Sequence, residues 1–108
     1  MQHPGNSHPP NVPTACLHLV AAAGRDVLDA CLAQVSAGDH VVFLDAGVLQ
    51  LLQSPATLAT AADGVSFAAT DLRAHGLLDA AREARVDVVD DAGICALLAR
   101  CRHSLTWR

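Results

Sequence analysis

The sequence predicts an α/β fold: a single small layered domain, with a mainly parallel sheet of about five strands and helices on both faces. Three observations predict it. A short apolar run, Val41-Val42-Phe43-Leu44, is rich in β-branched and aromatic residues and is closed by the turn formers Asp45 and Gly47. A run of that length and composition fits a strand buried on both faces, as in a parallel sheet covered by helices. Further short apolar runs alternate along the chain with segments of helical period, the pattern of a layered α/β domain.

Taken in order, residues 1–14 hold four of the five prolines and show no apolar periodicity. They are expected to form a flexible tail, with the domain spanning 15–108. Cys16-Leu17-His18-Leu19-Val20 is the first strand, and Ala21 to Gly24 its connection. Val27, Leu28, Cys31, Leu32 and Val35 form one stripe of a helix expected over 26–36, stopped by Ala37-Gly38. The central strand is expected over 41–45. A short helix over 47–53 ends at Ser54-Pro55, and the Ala/Thr-rich stretch 56–64 carries no clear pattern. A third strand is expected over 65–69. Asp71 is placed to cap a turn that Gly76 stops, followed by a helix over 77–84. A fourth strand over 86–89, a helix over 92–100 and a last strand over 103–107 complete the chain.

Composition excludes several chemistries. All seven basic residues are arginine, so no lysine exists for Schiff-base formation or a Walker-type phosphate loop. The net charge of -4, with scattered arginines, argues against direct nucleic-acid binding. No apolar stretch reaches the roughly 20 residues of a membrane span, and no secretory signal is visible. A cytoplasmic location with no membrane partner is expected. The chain is 52% hydrophobic with a mean hydropathy of +0.31, and a domain this small cannot hide all of that surface. A partner is therefore expected to cover part of it.

Cys16, Cys31, Cys95 and Cys101 are separated by 15, 64 and 6 positions, so no Cys-x-x-Cys pair exists. In a reducing compartment they are thiols, and small core residues is their ordinary role. Neither a closed metal-ligand set nor a glycine-rich cofactor loop is present, so no cofactor and no metal are expected. Asp45, Asp71 and Asp90 each follow a strand, where ligands often bind, but helix capping accounts for them more simply. His18, mid-strand between two leucines, reads as a satisfied core or edge histidine in preference to a ligand. Cys31 lies within an apolar stripe, away from the helix N-terminus, and burial there raises a thiol pKa.

The ordered segments nevertheless resemble one family. Leu17-His18-Leu19-Val20, Leu28-Asp29-Ala30-Cys31-Leu32 and Gly38-Asp39-His40-Val41-Val42-Phe43-Leu44-Asp45-Ala46-Gly47-Val48 are similar to the DsrH/TusB family. The second half agrees through Asp71, Gly76, Val88-Val89-Asp90, Ala92-Gly93 and Trp107. The resemblance implies a DsrE-like fold and a subunit of a sulfur-relay complex. Its implied partners are DsrE/TusD-like and DsrF/TusC-like subunits, with transfer of persulfide sulfur to a DsrC/TusE-like carrier. That sulfur would serve either tRNA wobble 2-thiouridine synthesis or sulfur oxidation. Cys31 matches the cysteine of DsrH-type members and is the implied catalytic (persulfide-carrying) residue. Two family tyrosines are absent from Asp45-Ala46-Gly47-Val48-Leu49 and Asp90-Asp91-Ala92-Gly93-Ile94. The alternatives are a non-catalytic structural subunit of such a complex and a diverged stand-alone domain.

Overall fold

A computed structural model of the protein describes residues 16–53 and 64–108. The expected tail and the stretch 56–63 lie outside them. Five parallel strands form one sheet: β1 (Cys16–Val20), β2 (His40–Phe43), β3 (Gly64–Ala68), β4 (Asp87–Val89) and β5 (His103–Trp107), in the order β4-β3-β2-β1-β5. Among the described residues four α-helices accompany them: α1 (Arg25–Gln34), α2 (Ala69–Ala74), α3 (Leu78–Ala84) and α4 (Asp91–Arg100), with a 3-10 helix over Asp45–Leu52. The central strand is the middle of the sheet, and Val41, Val42 and Phe43 are all buried, so the short apolar run does mark a strand covered on both faces.

Strand order dictates which face each helix covers. From β1 to β4 the chain steps steadily in one direction, so right-handed crossovers place α1, the 3-10 helix, α2 and α3 on one face. The β4–β5 connection reverses direction across the sheet, which sends α4 to the other. The packing follows this division. Val20, Leu28, Cys31, Val41, Phe43 and Phe67 belong to the larger core cluster, where the Phe43 and Phe67 rings stack with centroids 4.7 Å apart. Leu17, Val42 and Leu97 make the smaller cluster under α4. A helix about 10 Å wide cannot cover a sheet of five strands spaced about 4.8 Å apart. Accordingly Leu19, Leu44, Val89 and Ile94 around α4 are only partly buried, and Leu98 on α4 is 42% exposed, while Leu105 (47% exposed), in register with His18, lies on the α1 side of the edge strand.

Several boundaries differ from the sequence expectation for identifiable reasons. The first helix ends at Gln34, ahead of Ser36, because the Ser36 N–H donates to the Asp39 carboxylate at 3.0 Å and a turn replaces the last helical residues. The helix expected at 47–53 is a 3-10 helix that starts at Asp45, whose φ is +52. Gly47 sits in its first turn with its N–H on the Leu44 carbonyl, against the β1 backbone: a Cβ there would overlap the carbonyl oxygen of Val20. Gln50, fully buried, donates to the carbonyls of Ala22 (3.1 Å) and Gly24 (2.9 Å) and so ties this helix to the β1–α1 connection. Gly76 ends α2 with φ +70, as its type predicts.

Candidate functional site

Cys31 lies in the second half of α1, on the stripe that α1 turns towards the larger core cluster, and it is 0% exposed. Burial pushes its thiol up to about 11, and the nearby Cys16 and Asp39 add to the effect. At neutral pH the group is therefore protonated and a poor nucleophile. Cys31 is the one cysteine of four that fills the expected core role. Cys16 and Cys101 are half-buried and Cys95 is exposed on α4. The Cys16 thiol is also raised, by burial first and then by Asp39 and Cys101.

The aspartates after the strands divide by role. Asp90 is the N-cap of α4, its Oδ1 accepting the Gly93 N–H at 2.8 Å, which is the capping expected of it. Asp71 does not cap its own turn. It lies inside α2, and its Oδ2 accepts the Asp45 N–H at 2.8 Å. That bond links the first turns of the 3-10 helix and α2 at the carboxyl edge of the sheet and holds Asp45 in its left-handed conformation, which Asp tolerates better than most residues.

A second arrangement lies on the α1 side of the sheet, where side-chain alternation along β1 places Cys16, His18 and Val20. His18 is 1% exposed and both its ring nitrogens are hydrogen-bonded, so of the core and edge roles expected it fills the core one. Its Nδ1 accepts the Trp107 indole N–H at 3.1 Å, and its Nε2 lies 3.0 Å from Asp39 Oδ2. Indole nitrogen is only a donor, so Nδ1 must be the acceptor and the ring proton sits on Nε2, pointing at Asp39. Asp39, itself buried, thus accepts two hydrogen bonds on one oxygen, from His18 and from the Ser36 backbone. Sequence inspection missed this network. Its signal, a polar Asp immediately before a buried strand and a His between two leucines, is visible only once a partner 21 or 89 residues away is known.

Cys16, His18 and Asp39 each offer one atom within 4.8 Å of the others, a group of the size that can hold a metal ion. The hydrogen bonding opposes that use. A metal on Nε2 displaces the ring proton to Nδ1, where it faces the Trp107 N–H, and removes the donor that Asp39 accepts. The set is built as a hydrogen-bonded brace between β1, β5 and the Asp39 turn, and nothing in its geometry activates Cys16.

A parallel five-stranded sheet with a buried thiol on its flanking helix defines a small α/β domain of the layered class. The DsrH like protein family model matches residues 22–104, about three quarters of the chain, and the protein belongs to that family. Cys31 and Asp39 lie inside the matched segment; Cys16, His18 and Trp107 lie outside it. No curated protein matches the chain. Among the described residues no helix is long and apolar enough to cross a membrane.

Proposed function

We propose that this chain is a subunit of a cytoplasmic sulfur-relay complex of DsrEFH/TusBCD type. Its partners in that reading are DsrE/TusD-like and DsrF/TusC-like chains. The complex passes persulfide sulfur to a DsrC/TusE-like carrier, for tRNA wobble 2-thiouridine synthesis or for sulfur oxidation. The observation that carries the proposal is the family match over 22–104, with Cys31 inside it. The half-covered α4 face supports assembly, because apolar surface of that kind is stabilised by a partner. Cys31 is the thiol of this chain assigned to the relay.

One observation favours a second reading, in which the chain shapes the complex and carries no sulfur. Cys31 is fully buried with a strongly raised pKa, the opposite of a reactive cysteine's surroundings. The two readings separate in one experiment. The purified complex is charged with a persulfide donor and each thiol is mapped by mass spectrometry. A mass increase of one sulfur at Cys31 is expected for the relay role. Added sulfur at Cys16, Cys95 or Cys101 alone removes Cys31 from the relay. Sulfur on partner chains only, with transfer to the carrier intact, leaves this chain a structural subunit.

A further inference from the structure

We propose that β5 is a releasable strap over the Cys31 side of the sheet, held by the Trp107–His18–Asp39 hydrogen bonds, and that its release is the route by which Cys31 meets solvent or a reactant. Helix α1 packs on β1 and β5, so the buried side of α1, where Cys31 sits, faces these two strands. Trp107 is half-buried and packs against the same core cluster as Cys31. It is the only residue of β5 that is not exposed.

Apart from its five-residue ladder to β1, the strap is weakly held elsewhere. As an edge strand β5 bonds to β1 alone, and the other four residues of β5 bury little. Elements with few buried contacts open first in a folded protein. Three features hold its end: the sheet ladder to β1, the Ala21 N–H on the Trp107 carbonyl at 2.8 Å, and the indole N–H on His18. The last is a side-chain bond that can break without disturbing β1–β4. His18 in turn is held in the right tautomer and position by Asp39, which a turn fixes against α1. The brace thus links the strap to the helix that carries the thiol. Access to Cys31 is a property of the fold; the use made of it rests on the sulfur-relay reading.

The test is the alkylation rate of Cys31 in the full chain under native conditions. Peptide mass spectrometry resolves the four thiols, and exposed Cys95 serves as the internal standard. Trp107→Phe keeps a ring and removes the N–H. It is expected to raise Cys31 labelling about fivefold, the effect of one neutral hydrogen bond on a local opening. Leu97→Ala, which damages the opposite face, is expected to leave that rate unchanged at low urea. In the wild-type chain, hydrogen exchange of the β5 amides is expected to give the same opening constant as Cys31 labelling, a comparison that needs no variant. Three results overturn the strap: no change on Trp107→Phe, labelling that follows global stability equally in both variants, or β5 exchange unrelated to Cys31 labelling. None of them touches the relay reading, because alkylation measures access and not sulfur transfer.

Discussion

Asp39→Ala lowers the unfolding free energy by about 2–4 kcal/mol. The side chain is buried, and its Oδ2 accepts both the His18 Nε2–H and the Ser36 N–H. Removing it strands the buried His18 Nε2–H, at about 1–3 kcal/mol, and breaks the bond to the exposed Ser36 N–H, worth about 1 kcal/mol because water can replace the acceptor. The loss spreads further, because Asp39 also positions the His18 ring that accepts from Trp107. Asp39→Asn is the control. An amide oxygen in the place of Oδ2 accepts from both donors, so the loss is expected to be about 1 kcal/mol. Urea unfolding followed by the fluorescence of Trp107, the single tryptophan in a chain without tyrosine, measures both variants. Equal losses for Ala and Asn would show that the two hydrogen bonds are not what the carboxylate provides.

Gly47→Ala is expected to cost at least about 3 kcal/mol and to reduce soluble yield. The added Cβ has no room, because it would overlap the Val20 carbonyl oxygen. That oxygen cannot retreat, since it already accepts the Leu44 N–H at 3.0 Å at the end of the central strand. Relief requires the 3-10 helix to move off the sheet, which pulls buried Val48 and Gln50 with it. Gly38→Ala separates crowding from backbone strain. A Cβ at Gly38 meets no heavy atom within 4 Å, but its φ of +92 disfavours an L side chain. That variant is expected to lose only about 1 kcal/mol. A Gly47→Ala unfolding midpoint within experimental scatter of the wild type would contradict the packing described for this corner.

The inner strands were legible in the sequence because β1, β2 and β3 are short apolar-rich runs with turn formers nearby, and because helical stripes separate the runs. Val41 to Leu44 was informative in particular: a strand buried on both faces needs no alternation, so four apolar residues in a row sufficed. Boundaries were less legible. Nothing in the stripe ending at Val35 reveals that Asp39 draws the Ser36 N–H out of the helix. Nor does the Asp45–Leu52 segment announce a 3-10 helix, since its apolar residues fit either helical form. The burial of Cys31 was readable from its place among Val27, Leu28 and Leu32, whereas the brace was not. His18, Asp39 and Trp107 come from three separate elements, and local pattern carries no information about contacts of that range. Asp71 failed for the same reason: its partner is the Asp45 backbone, 26 residues earlier, and not the helix beside it.

The claim that this chain works as a subunit is tested most directly by co-expression with any DsrE- and DsrF-like chains encoded in the same genome, followed by size-exclusion chromatography with light scattering. The proposal predicts a stable heteromeric particle containing this chain, several times heavier than its own 11.2 kDa, with Leu98 on the α4 face protected from solvent in it. A well-behaved 11.2 kDa monomer that elutes apart from those partners would contradict the assembly and the sulfur-relay function built on it.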